Sequence, residues 1–199
     1  MKRNKLNREY LERIEACKRG IKWVETRENK DIGSLFKIVI KSRDVFLLEW
    51  GNWLICRLLN KKQRIQYSVY AAEQVIHLIE DEHLGVVNPK EALEAALKCT
   101  KSTSQNSKND AKYAMNSMIG SAKCAGRRSS WVSESAAYAI AWAARTAYTT
   151  NTPPIQNSIK SAVEVSFWAF NSATRSGDEL NGIEILIKIL TYGYKLYTE

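Results

Sequence analysis

The residues with the clearest claim to chemistry stand together in EQVIHLIEDEH, residues 73–83. On a helix, Glu73, His77 and Glu80 fall at i, i+4 and i+7 and share a face. Glu80-x-x-His83 also has the ligand spacing of one half of a di-iron carboxylate site. Such a centre needs two Glu-x-x-His motifs, but the chain has only two histidines and Gln74 stands three residues before His77. What remains is a weak mononuclear metal candidate of Glu73, His77 and Glu80, set against solvated acids at a helix end making ordinary i, i+4 pairs. No GxSxG, HExxH, Walker loop or GxGxxG occurs. The expectation is therefore a protein that is not an enzyme and that carries no cofactor.

A second chemistry is carried by charge. The net charge is +9 over 199 residues, and it is unevenly placed. Residues 1–30 hold 10 basic against 5 acidic side chains, 65–100 hold 2 against 6, and 101–150 hold 7 against 2. Two clusters stand out, Lys61-Lys62-Gln63-Arg64 and Lys123 with Arg127-Arg128. Either is the kind of footprint that a phosphate backbone or an acidic protein surface selects. No helix-turn-helix, zinc-finger or RNP-like signature accompanies them. Four cysteines, Cys17, Cys56, Cys99 and Cys124, lie far apart without a CxxC pair. They read as small buried hydrophobes in a reducing cytoplasm rather than as a disulfide scaffold.

The elements that must position these groups are helical throughout. Apolar residues recur at helical spacing and no long segment alternates with period two. One stripe is expected over 7–27 (Leu11, Ile14, Ile21, Val24), a short helix over 34–41, and a Trp-rich helix over 44–61. A fourth carries Val69, Ala72, Val75, Ile76 and Ile79. Asn88-Pro89-Lys90-Glu91 reads as a helix start, with Asn as cap and Pro at the first position. The polar tract 100–109 is linker-like, either a loop inside one domain or a subdomain boundary. Three alanine-punctuated helices follow, the third lined by Ile159, Val163, Phe167, Phe170 and Ala173 after the break at Pro153-Pro154, and a last helix begins near Asp178. The longest apolar tract, VFLLEWGNWLICRLL, is interrupted by Glu49, Asn52 and Arg57, too polar for a membrane span. The fold expected is all-α, a soluble single-domain bundle of about eight or nine helices over residues 1–199.

The middle alanine helix, WVSESAAYAIAWAARTAYTT (131–150), holds seven alanines. Ala136, Ile140, Ala143 and Ala147 form one stripe, which lets helix backbones approach closely. Trp131, Tyr138, Trp142 and Arg145 form another. That second stripe is expected to fill the core; its alternative is an exposed contact surface with Arg127 and Arg128 beside it, since Trp, Tyr and Arg dominate binding hot spots.

The order of motifs adds a family resemblance. EACKRGIKW (15–23), EWGNWLICRLL (49–59), YAAEQVIHLIE (70–80) and NPKEALEAA (88–96), followed by alanine-rich helices over 111–150, succeed one another as in a bacterial immunity-protein family of polymorphic-toxin loci. The chain resembles that family over about its first three quarters, through Ala16, Cys17, Gly20, Trp23, Trp50, Trp53, Leu54, Ala71, Ala72, Glu73, Val75, Glu80, Pro89, Ala92, Glu94, Ala95 and Ala96. The resemblance implies a helical protein that binds a toxin effector and neutralises it by covering a surface, with no catalytic residue to carry over. The basic charge departs from the acidic, substrate-mimicking character common in inhibitors of nucleic-acid-degrading toxins. It leaves open a mobile-element inhibitor of a host defence nuclease complex, as anti-CRISPR proteins are, and a nucleic-acid-associated helical module. The candidate contact residues are Lys61, Lys62, Arg64, Lys123, Arg127, Arg128, Trp131, Tyr138, Trp142 and Arg145.

Overall fold

A computed structural model describes residues 5–79, 88–127, 130–149, 156–177 and 179–199. Its elements are α1 (Arg8–Arg13), α2 (Lys18–Glu25), α3 (Ile32–Ser42), α4 (Val45–Leu58), α5 (Lys61–Glu73), a 3-10 turn at Ile76–Leu78, α6 (Pro89–Lys101), α7 (Gln105–Arg127), α8 (Trp131–Thr149), α9 (Gln156–Arg175) and α10 (Glu179–Thr198). The fold is an all-α single-domain bundle; among the described residues no strand occurs and the α-helices number ten, against the eight or nine expected.

The extra helix comes from the N-terminal stripe. Glu15 adopts φ +62°, a left-handed conformation that ends α1, and Cys17 then caps α2 with its Sγ accepting from the Gly20 amide. Periodicity carries across such a break because Leu11, Ile21 and Val24 still meet one core. Side-chain caps start most of the other early helices: Asp31 for α3, Asp44 for α4, a full capping box of Asn60 and Gln63 for α5, and Asn88 with Pro89 for α6 as the sequence predicts. In the polar tract only Ser102, Thr103 and Ser104 are non-helical, since its flanks extend α6 and begin α7. Short polar side chains there cap one another instead of forming a long loop: the Ser104 Oγ accepts from the Ser107 amide.

At the centre lies α8, which packs on α7, α9, α6 and α5. The pairs α7/α8 and α8/α9 run antiparallel: Lys112 lies over Tyr148 while Gly126 abuts Glu134, and Ser172 donates to the Val132 carbonyl while Tyr138 meets Trp168. The inward surface of α8 is small. Ala136, Ala139, Ala143 and Ala147 are fully buried, as is Ile140. Some buried hydroxyls bond within their own helix, Thr146 donating to the Trp142 carbonyl at 2.9 Å and Ser161 to the Asn157 carbonyl at 2.8 Å, while Ser172 and Ser133 reach across to other elements.

The α9 stripe is a correction. Phe167 is 45% exposed and Ile159, Val163 and Phe170 are only partly buried, while Ser158, Ser161, Ala162, Val165 and Ala169 face the core. Ala173 of the expected stripe is buried, Ile159, Val163 and Phe170 pack against the edge of the core and Phe167 turns outward, because close contact with an alanine-faced α8 favours small residues.

A buried polar network ties α4 to α5 and α10. The Tyr67 hydroxyl donates to Asn52 Oδ1 at 2.6 Å, and Asn52 Nδ2 donates to the Leu48 carbonyl at 2.9 Å and the Leu186 carbonyl at 3.4 Å. Burial pushes the neighbouring Cys56 thiol up to about 12, and it also raises Tyr67 well above the ordinary phenol range.

Candidate partner-binding surface

The two basic clusters do not form one patch. The Ser68 hydroxyl meets Thr146 and Ser133 donates to the Leu78 carbonyl, so α5 runs antiparallel to α8. Lys61 and Lys62 therefore lie toward the C-terminal end of α8, and Lys123 and Arg127 lie beside its N-terminal end. At 1.5 Å per residue, α8 separates these ends by roughly 27 Å. Lys61 and Lys62 are exposed in the first turn of α5, where positive charge opposes the helix dipole. Lys123 and Arg127 are exposed on the last turns of α7, where it is favourable. Arg128 and Glu80 lie outside the described residues.

Arg64 does not belong to either surface. It is 5% exposed, and its Nη1 donates to the Leu59 carbonyl at 2.7 Å and more weakly to the Cys56 carbonyl at 3.5 Å. Its guanidinium closes the C-terminal end of α4, a structural use of charge that a KKxR run cannot be distinguished from in sequence. Burial lowers its pKa without changing its charge at neutral pH.

The second stripe of α8 faces outward along the seam between α7 and α9. Trp131 is 57% exposed with the Arg175 guanidinium 5.8 Å from its ring centre. Tyr138 is half-buried against Trp168, centroids 4.8 Å apart. Trp142 is half-buried under the exposed Arg145, whose guanidinium sits 4.6 Å from the ring. The stripe is thus a ridge of alternating rings and guanidiniums resting on the core. Arg175 and Trp168, which complete it from α9, were not legible as members, because helix–helix apposition brings them there over a separation of tens of residues. Among the described residues Lys123, Arg127, Arg145 and Arg175 make no ion pair, although Arg175 donates to the Ser135 hydroxyl at 2.9 Å.

Of the weak metal candidate, Glu80 lies outside the described residues, and Glu73 and His77 belong to different elements. α5 ends at Glu73 and His77 lies in the 3-10 turn, so the continuous helix that would align residues 73, 77 and 80 is broken at Gln74 and Val75. Both Glu73 and His77 are exposed, and among the described residues no three His, Cys, Asp or Glu side chains gather as metal ligands. Cys17 is exposed as the α2 cap instead of buried and Cys124 is only partly buried, while Cys56 and Cys99 are buried as expected.

A cleft of about 380 Å³ opens on the other flank of α9. Phe46, Trp50 and Trp53 of α4, Val163 and Phe167 of α9 and Leu186 of α10 form its apolar walls, with Cys17, Ser166 and the carboxylates of Glu15 and Glu49 as its polar lining. Trp50 is held by Trp23 at 5.6 Å and Trp53 at 6.5 Å, and its indole nitrogen rests on Gly20, where a Cβ would stand 2.1 Å away. The order of EACKRGIKW and EWGNWL thus has a physical content: Gly20 makes room for Trp50.

No protein-family model, curated protein or solved structure matches this chain. No described helix is long and apolar enough to cross a membrane.

Proposed function

We propose that this chain is a non-catalytic binding protein of the immunity type, which neutralises a toxin effector by covering part of its surface. The contact is the α8–α9 ridge. Carrying the reading is Trp131: a tryptophan left more than half exposed, with the Arg175 guanidinium over its ring and with Lys123 and Arg127, exposed and without an ion pair among the described residues, on the last turns of the adjoining α7. A lone exposed ring needs no explanation, but a ring–guanidinium series on a rigid helix pair has the composition of a hot spot. Its charge calls for an acidic patch on the partner protein.

The size of the effect follows from area. A tryptophan offers up to about 250 Å², so roughly 140 Å² of Trp131 awaits burial, worth ~3.5 kcal/mol at about 25 cal/mol per Å² before the costs of association. Trp131→Ala should weaken binding tenfold to a hundredfold while leaving the melting temperature within about 1 °C. The test is affinity capture from a host expressing the protein, followed by co-expression of the captured partner. The expected result is one stoichiometric protein partner whose toxicity is relieved by wild type and not by Trp131→Ala. Recovery of RNA or DNA that leaves at moderate salt, with no protein, overturns the reading. The second reading, an inhibitor of a defence nuclease complex, uses the same exposed cations; a captured nuclease with unimpaired cell growth would select it.

A further inference from the structure

We propose that the cleft between α4, α9 and α10 is a binding site for a compact organic cation, an alkylated ammonium or a guanidinium group. The walls are the first argument. Phe46, Trp50, Trp53 and Phe167 present rings to one volume of about 380 Å³, within the range of small-ligand sites. Ring faces carry negative potential and hold cations. Two of these rings already hold a cation, Arg19 3.7 Å from the Phe46 ring centre and Arg57 5.0 Å from that of Trp53.

Charge is the second argument. In a protein of net charge +9, the ionisable carboxyls facing this cleft are Glu15 and Glu49. Glu15 is met by Arg57 at 3.9 Å. Glu49 has no ion pair or hydrogen bond among the described residues, and loss of water around its carboxyl raises its pKa. An exposed carboxylate at the mouth of a cleft lined by aromatic rings, with no cation of its own among the described residues, is the complement of a cation with an apolar body. An anion would meet that carboxylate instead, and a neutral apolar ligand would leave it unpaired.

The cleft and the ridge share no residue, although Phe167 of the cleft meets Trp168 of the ridge edge-on at 5.5 Å, and the test uses no partner protein. Choline, its uncharged isostere 3,3-dimethylbutan-1-ol, and N-acetylarginine amide are titrated into the full chain. Binding is followed by tryptophan fluorescence and by protection of Cys17, which lines the cleft and is exposed, from a thiol reagent. Saturable binding of choline or the arginine amide is expected, with the isostere at least about tenfold weaker. Tighter binding of the amide assigns the site to a partner's side chain, and tighter binding of choline to a free amine; either supports the inference. Glu49→Gln should reduce the cation to the isostere's level, and Trp53→Leu should abolish protection of Cys17, with circular dichroism confirming that both variants are folded. Equal binding of the isostere, an unchanged choline affinity in Glu49→Gln, or no saturable signal by about 100 mM of either cation overturns it.

Discussion

Replacing Tyr67 by Phe removes one oxygen and nothing else from the core. That oxygen donates at 2.6 Å to Asn52 Oδ1, and both residues are fully buried. Asn52 keeps its Nδ2 bonds to the Leu48 and Leu186 carbonyls, so its side chain stays in place and its Oδ1 is left without a donor. An orphaned buried acceptor costs about 1–3 kcal/mol, more than the roughly 1 kcal/mol that a hydrogen bond contributes net. For a chain of this length that is a fall in melting temperature on the order of 2–12 °C. Asn52→Leu alone orphans the phenol and the two carbonyls' share, at a similar cost. In the double variant the phenol and Oδ1 vanish together, so the sum of the single effects should exceed the double effect by at least about 1 kcal/mol. Urea unfolding of the four proteins at pH 7 measures this. Strictly additive effects would refute the network as the tie between α4, α5 and α10.

Three further outcomes follow from the same core and its rim. With a thiol reagent, Cys17 should react first and Cys56 and Cys99 only after unfolding, because the latter two are buried; mass spectrometry of the modified peptides decides. Stability should fall as pH rises from about 9 toward 12: folding holds protons on Cys56, up to about 12, and on Tyr67, whereas the unfolded chain releases them near their ordinary values. That contribution is complete below pH 9 and lost above the folded values, so the urea midpoint should decline with pH and decline less in Cys56→Ala. Gly20→Ala should destabilise by roughly 1–3 kcal/mol and perturb tryptophan fluorescence, since a Cβ would stand 2.1 Å from the Trp50 indole nitrogen; an unchanged emission spectrum would refute the packing.

Much of the architecture is readable from residue order, and the misses have distinct causes. The Asn88-Pro89 start and the buried stripe Ala136–Ile140–Ala143–Ala147 are local signals, and they are where they were expected. On α9 Ala173 is buried as expected but Phe167 is not, because hydrophobicity predicts an inward Phe167, whereas close apposition to an alanine surface selects by volume. Arg64 looked like surface charge because a buried guanidinium is recognised only by the carbonyls that receive it. The break at Gln74 that undoes the Glu73–His77 alignment carries no proline or glycine to announce it. The cleft gathers residues from four parts of the chain, so its rings are visible in sequence and their convergence is not.

The alanine and serine faces of α8 and α9 have a consequence for how this protein can change over time. Every added methylene at that seam must push two backbones apart, so substitutions there are confined to the smallest side chains. The ridge above it rests on the same helices but touches solvent, where exchange of one ring or cation for another leaves the spacing untouched. A lineage carrying this fold can therefore retune what it recognises while its spine stays fixed, and sequence drift should concentrate at Trp131, Arg145 and Arg175 long before it reaches Ala139 or Ala143.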